Sequence, residues 1–190
     1  MFARLTLFIL FALIGAMRGY YMLRYGFLHM RSQKPKEWYD WLTELGVLSI
    51  APIGMIYMVL GELMPLTFTA HDVVRVLGLM LMTVGVLLLW GSHYNLAQLW
   101  TWNIGLRDDH RIVQHGLYRT MRHPMYTALS AFLIAMPFIT QSWLGLFPLI
   151  GLIGLYRRAR VEEALLTETF GAAYEEYRQR TGMFLPNFRF

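Results

Sequence analysis

Residues 118–126 read Tyr-Arg-Thr-Met-Arg-His-Pro-Met-Tyr, and an apolar run follows at once. Proline after His123 disfavours the helical conformation at that histidine, while Pro124 itself suits the first position of a helix. The predicted helix would turn its free N–H groups and positive end toward Arg122 and His123, a combination that suits an anion such as a carboxylate. The same residue types also anchor a chain at phospholipid headgroups, and both readings stand on these residues alone. A second group is Arg157, Arg158, Arg160, Glu162 and Glu163. Arg158 and Glu162 are four apart and share one helix face, and Arg160 and Glu163 share another. Surface salt bridges would explain the spacing, but Arg158 follows a short apolar run and so falls at a membrane boundary, where a charge needs a partner or a purpose.

Other chemistries are poorly supplied. There is no cysteine, which excludes disulfides, thiolate metal sites and a cysteine nucleophile. His110 and His115 are five apart in a loop, and with His93 and His123 they form no zinc pattern, so structural or hydrogen-bonding roles are expected and no metal.

The elements that must position these groups are apolar. Of 190 residues, 56% are hydrophobic and 15% charged, and the mean hydropathy is +0.40, too apolar for an ordinary soluble domain. The net charge of +5 comes from basic residues in short segments between apolar runs, a pattern of membrane topology and not of nucleic-acid binding. Five runs approach the length of a membrane-spanning helix: residues 3–23, 45–64, 73–94, 126–139 and 143–156. The last two, each near the lower limit, flank Thr140, Gln141 and Ser142 and predict a tight helical hairpin. Pro52, Pro137 and Pro148 within the runs are expected as bends tolerated by neighbouring helices. A cleaved signal peptide is the alternative for the first run, but Arg18, Arg24, Arg31, Lys34 and Lys36 after it outnumber the lone Arg4.

Basic residues also set orientation. That first loop, Arg107, Arg111, Arg119 and Arg122 in the third, and Arg157, Arg158 and Arg160 in the tail would face the cytoplasm, leaving the N-terminus outside. Trp38, Tyr39 and Trp41, and Trp90, Trp100 and Trp102, suit interfacial belts, and the methionines of the third run suit packing. After Arg157 the tail has helical periodicity, with Leu165, Leu166, Tyr174 and Tyr177 on one side, a break at Phe170-Gly171, and an end near Gly182 and Pro186. This predicts two short amphipathic helices lying over the third loop. The fold class is therefore all-α integral membrane with about five transmembrane helices, in one domain over 1–190: the first three spans in 1–91, and loop, hairpin and tail in 92–190.

From His93 to Pro186 the chain resembles the isoprenylcysteine carboxyl methyltransferase family and its phospholipid N-methyltransferase relatives. The likeness lies in an ordered set: His110-x-x-Val113-x-x-Gly116-x-Tyr118, Arg122-His123-Pro124-x-Tyr126, the hairpin, Arg158 with paired Glu162 and Glu163, then Phe170-Gly171-x-x-Tyr174. The resemblance implies an integral membrane methyltransferase that uses S-adenosyl-L-methionine without a Rossmann domain, in a cytoplasmic pocket roofed by the loop and the C-terminal helices. It implies that His110, Arg111, Ile112 and Val113 line the adenosyl part. Tyr118, His123, Pro124, Met125 and Tyr126 would line the rest, with Asn103 as a further contact. Glu162 would hold the cofactor's amino acid or ribose end, and Arg158 would orient the substrate.

The residues agree with that chemistry, since a sulfonium needs aromatic or carboxylate neighbours and its carboxylate a basic site. Methyl transfer itself needs alignment with water excluded. The implied partner is a lipid or lipid-modified acceptor, whether prenylcysteine carboxylate, phospholipid amine, small thiol or another. Ala97 stands where many relatives have glycine, and the N-terminal half, which the resemblance implies would help shape a lipid entrance, carries no signature. Two other classes stay open: a membrane transporter or binding protein, which would place ionisable groups near the midplane or show paired halves, and a nicotinamide-dependent enzyme like the sterol reductases, for which the chain is short.

Overall fold

The computed structural model describes residues 2–25, 32–33, 35–96, 99, 105–106 and 111–187. The apolar runs become helices: α1 (Phe2–Tyr25), α2 (Trp38–Leu60), α3 (Asp72–Leu96) and α4 (Pro124–Thr140), followed by α5 (Gly151–Phe170) and α6 (Ala172–Arg180). Two-residue strands β1 (Ser32–Gln33) and β2 (Gly105–Leu106) pair antiparallel. Helices α2 and α4 run through Pro52 and Pro137. The segment Phe2–Arg24, the segment Trp38–Leu63 and α3 are long and apolar enough to cross a membrane, and α4 is a shorter apolar helix.

Small residues set how closely the helices pack. Helix α3 buries Gly78, Leu79, Met82, Gly85, Leu89, Ser92 and His93 on one face, the spacing of a helical stripe. It meets α4 there: a Cβ at Gly85 would lie 2.6 Å from Phe132 Cε1, and one at Gly78 would lie 2.8 Å from Phe138 Cβ. Helix α1 lays Phe11 over Gly54 of α2. Leu7, Ile50, Tyr57, Met82, Leu133, Met136 and Ile139 fill the centre. Phe8, Leu13, Leu48, Val59, Met80, Leu87 and Trp90 instead lie exposed on the outside of α1–α3. An exterior this apolar matches hydrocarbon, not water. His93 takes a structural role, its Nδ1 2.9 Å from the Leu89 carbonyl and its ring 4.7 Å from that of Tyr21.

Two expectations change in detail. Residues 143–150 of the fifth run form a 3-10 segment, and the α-helix begins only at Gly151. Proline lacks the N–H an α-helical turn requires, and Gly145 sits so close under α4 that a Cβ would lie 2.7 Å from Pro137 Cα. The first predicted tail helix is not separate, because α5 continues from the apolar run through Arg157–Glu163 to Phe170. Nothing between Tyr156 and Leu166 breaks a helix, and the break comes at Gly171, at φ +53. The hairpin turn falls on Thr140–Ser142 as expected, with Gln141 left-handed at φ 48 and Ser142 accepting from the Leu144 N–H.

Candidate active site

At one end of the bundle, the start of α2, the end of α3, the start of α4 and the middle of α5 come together beneath the tail. The approach to α4 begins at a turn over Gly116–Arg119. Gly116 has φ +58, and a Cβ there would lie 2.2 Å from Asn95 Oδ1, so both backbone and space require glycine. Asn95 Oδ1 accepts from the Leu117 N–H at 3.0 Å, which ties the turn to α3.

Residues 120–123 then run beside the tail. The Arg122 N–H donates to Gly182 O (2.8 Å), the His123 N–H to Met183 O (3.0 Å), and the Gly182 and Asn187 N–H groups to Thr120 O. The Tyr177 hydroxyl donates to Tyr118 O at 2.7 Å, and Thr127 Oγ1 to Phe184 O at 2.7 Å. Backbone that would otherwise be an unsatisfied loop becomes a fixed layer. The helix starts at Pro124 after His123, as the sequence predicts.

Charged groups beneath this layer are nearly all paired. Arg122 Nε lies 2.6 Å from Glu163 Oε1, and its Nη1 donates to the carbonyls of Arg178 and Thr181. Arg122 is therefore a brace between α5 and the tail, and its guanidinium is taken up there and not left for the anion expected at Arg122-His123-Pro124. Burial pushes the Glu163 carboxyl up, but His123 and Arg122 outweigh it and hold the group at about 2. His123 is buried, and its Nε2 lies 3.4 Å from Glu163 Oε1. Its ring stacks on Tyr126, centroids 5.3 Å apart and planes within 9°.

The Tyr126 hydroxyl donates to Glu162 Oε2 at 2.8 Å and accepts from Arg158. Arg158 Nη1 in turn lies 2.5 Å from Asp40 Oδ1. A hydrogen-bonded chain thus runs from α2 through α5 to α4, and back to α5: Asp40, Arg158, Tyr126, Glu162. Glu162 is the member that keeps contact with solvent, its side chain 37% exposed against 4% for Glu163 and 7% for Asp40.

Of the residues singled out from sequence, Tyr118, His123, Tyr126, Arg158 and Glu162 come together. Tyr118 is buried and hydrogen-bonded to Ser92; burial, with the charge of Glu162 next, pushes its hydroxyl up. Pro124 is buried, and Met125 packs against the core. Among the described residues, Arg111, Ile112 and Val113 make no hydrogen bond or ion pair to the Glu162–Glu163 pair; Arg111 is exposed and the other two half-buried. Asn103 and His110 lie outside the described residues.

Sequence reasoning missed Asp40 and the partners of Glu163. Asp40 carried a usable signal: an acidic residue in the first turn of an apolar helix, inside an aromatic cluster, calls for a buried cation. Nothing in the spacing pointed from Glu163 to Arg122, 41 residues away.

Comparison with known proteins places the same region in a family. The model of the family described as phospholipid methyltransferase matches residues 73–173. A probable protein-S-isoprenylcysteine O-methyltransferase of Oryza sativa subsp. indica is 33% identical over 85 residues, 44% of this chain and 44% of that protein. The methanethiol S-methyltransferase of Pseudomonas deceptionensis is 37% identical over 73 residues, 38% of this chain and 28% of that one. The protein-S-isoprenylcysteine O-methyltransferase of Saccharomyces cerevisiae is 34% identical over 81 residues, 42% and 34% of the two chains. The chain thus spans less than half the length of these curated relatives.

Proposed function

Because the chain belongs to the phospholipid methyltransferase family, we propose that it is an S-adenosyl-L-methionine-dependent membrane methyltransferase acting on a lipidic or membrane-embedded acceptor. The observation that carries this reading is the meeting of Arg122-His123-Pro124-x-Tyr126 with Glu162 and Glu163, closed by the Tyr126–Glu162 bond at 2.8 Å. The donor set fits the cofactor: a part-exposed carboxylate and stacked rings for its cationic groups, and the buried His123, 3.4 Å from Glu163, for its polar end. S-adenosyl-L-methionine supplies an electrophilic methyl on sulfur. In this reading Glu162 binds its amino acid or ribose end, and Tyr118, His123, Pro124, Met125 and Tyr126 shape its pocket. His110, Arg111, Ile112, Val113 and Asn103 complete the adenosyl side. Arg158 orients the acceptor at the membrane boundary, and the layer of residues 116–123 and 181–187 excludes water, so that alignment does most of the work.

The whole chain acts as one domain with five spans, α1 to α4 and the stretch 143–156, with the N-terminus outside and the site on the cytoplasmic side. The basic residues of the first and third loops and of the tail support that orientation. The acceptor is a carboxylate, an amine or a thiol. A carboxylate is already ionised near pH 7, whereas an amine or a thiol must lose a proton, so a rate rising with pH rules out the carboxylate.

Titration calorimetry of detergent-solubilised protein with S-adenosylhomocysteine and with NADPH tests the reading. Binding of the first alone is expected, and binding of NADPH alone overturns it. A reporter fused after Phe190 should be cytoplasmic and one inserted near Thr69 external; the reverse pair overturns the orientation.

A further inference from the structure

We propose that Asp40, in the N-terminal half of the chain, is a positioning residue for Arg158; the inference rests on the reading of Arg158 as the group that orients the methyl acceptor. Asp40 stands in the first turn of α2, outside the stretch 73–173 that the family model matches. Its two oxygens are divided: Oδ2 accepts from the Glu37 N–H at 3.0 Å, and Oδ1 faces Arg158 Nη1 at 2.5 Å.

The helix crossing explains why these two residues meet. Helices α2 and α5 run antiparallel, with Gly46 against Gly151, Thr43 against Gly154, and Asp40 against Arg158. A Cβ at Gly46 would lie 2.6 Å from Gly151 Cα, and one at Gly154 would lie 2.3 Å from Thr43 Oγ1. Residues 40, 43 and 46 on one helix and 151, 154 and 158 on the other are spaced three or four apart, so each set forms one face. Contact of the backbones, made possible by the glycines, sets the two charges at bonding distance and leaves their side chains 7% and 11% exposed. The crossing is flanked by Trp38, whose ring lies 5.8 Å from the Arg157 guanidinium.

An arginine side chain left alone samples many rotamers. Here the guanidinium is fixed from two sides, by Asp40 and by the Tyr126 hydroxyl, and Tyr126 also holds Glu162. Asp40 therefore acts through Arg158 on the geometry between acceptor and cofactor without needing to touch either. A mere staple between α2 and α5 would change stability and leave turnover per folded molecule alone. A positioning residue changes kcat and leaves cofactor affinity alone.

The test uses the full chain in nanodiscs. Methyl transfer from labelled S-adenosyl-L-methionine is measured with phosphatidylethanolamine, an S-farnesyl cysteine and an alkanethiol as acceptors, alongside S-adenosylhomocysteine affinity and Tm. Asp40→Asn keeps size and the acceptor for the Glu37 N–H while removing the charge. It should lower kcat at least tenfold with the KM for S-adenosyl-L-methionine and the affinity for S-adenosylhomocysteine within about twofold. Asp40→Glu should fall between, and adding Asp40→Asn to Arg158→Lys should cost less than a further twofold. A kcat for Asp40→Asn within twofold of the parent, or effects that multiply in the double variant, overturns the proposal. If Asp40→Asn does not fold, Asp40→Glu decides: kcat reduced several-fold at unchanged Tm supports positioning, and parental kcat overturns it. A parent chain that neither binds S-adenosylhomocysteine nor methylates any acceptor defeats the methyltransferase reading, and this inference with it; an active parent with an indifferent Asp40 defeats this inference alone.

Discussion

The two ends of the bundle pair half-buried arginines with carboxylates in opposite surroundings. At the site end, Asp40 and Glu163 are 7% and 4% exposed and face arginines at 2.5 and 2.6 Å. At the other end, Arg75 of α3 reaches Glu62 at 3.2 Å and Asp72 at 3.4 Å, but those carboxylates are 79% and 88% exposed. What holds that end is hydrogen bonding to backbone carbonyls: the Phe68 N–H donates to Gln141 O, the Trp143 N–H to Leu66 O, and the Ser142 hydroxyl to Pro65 O. A charge pair in water is weak because solvent screens it and the side chains must be ordered to form it. A buried pair costs desolvation, and it becomes severely destabilising when one partner is removed. The site end therefore depends on its ion pairs, while the far end merely displays them.

The sharpest way to break the contrast is Glu163→Ala. Arg122 would be left charged, 9% exposed, and short of its main partner, a loss of about 3–5 kcal/mol for a broken buried pair. Thermal unfolding in detergent should show it, with protease cutting first in the tail that Arg122 braces. Acid should do the same more gently. The Glu163 carboxyl sits at about 2, below its ordinary 4.5. Its stabilisation is fully present above the ordinary value and is lost as pH falls from there toward 2. Tail protection that is unchanged across that window would show that the pair does not hold the layer.

Next in size is a division of labour across the hydrogen-bonded chain. Arg158→Lys keeps the charge but not the planar fork, and should lower the rate by roughly ten- to a hundredfold with cofactor affinity intact. Glu162→Gln should do the reverse, weakening S-adenosylhomocysteine first. Rates and affinities that stayed intact in both variants would leave the pair a structural feature with no part in binding or turnover. His123→Ala follows, with affinity for S-adenosylhomocysteine falling by about tenfold for one lost polar contact, while the protein still extracts folded.

The contrast also marks what the sequence could disclose. The first four helical runs, the break at Phe170-Gly171, the hairpin turn and the helix start at Pro124 follow from local chemistry, and the structure has them near where the pattern predicts. The convergence of Tyr118, Tyr126, Arg158 and Glu162 was reached through ordered motifs, because spacing alone cannot say that α4 and α5 lie side by side. The crossing of α2 on α5 was not legible, since Gly46, Gly151 and Gly154 look like any glycines in an apolar run until the helices meet. Asp40 followed it into obscurity, and so did the use of Arg122 as a brace. The 3-10 stretch was hidden for a related reason: the tight fit of Gly145 under Pro137 is tertiary.

The smallest effect is expected from Glu62→Gln, and it is the control that gives the others meaning. Glu62 makes a contact of the same chemical kind as Asp40, a carboxylate 3.2 Å from an arginine, but at 79% exposure. Water already solvates it, so removing the charge strands nothing: Arg75 keeps Asp72 at 3.4 Å and the Gln141 side chain at 3.0 Å. A change within about 0.5 kcal/mol is expected, smaller still at high salt, where exposed pairs are screened. Methyl transfer and S-adenosylhomocysteine affinity should not move. Tm measured at low and high salt beside Glu163→Ala checks this. If Glu62→Gln cost as much as Glu163→Ala, burial would not be what separates the two ends, and the dependence of the site on its buried pairs would lose its physical basis.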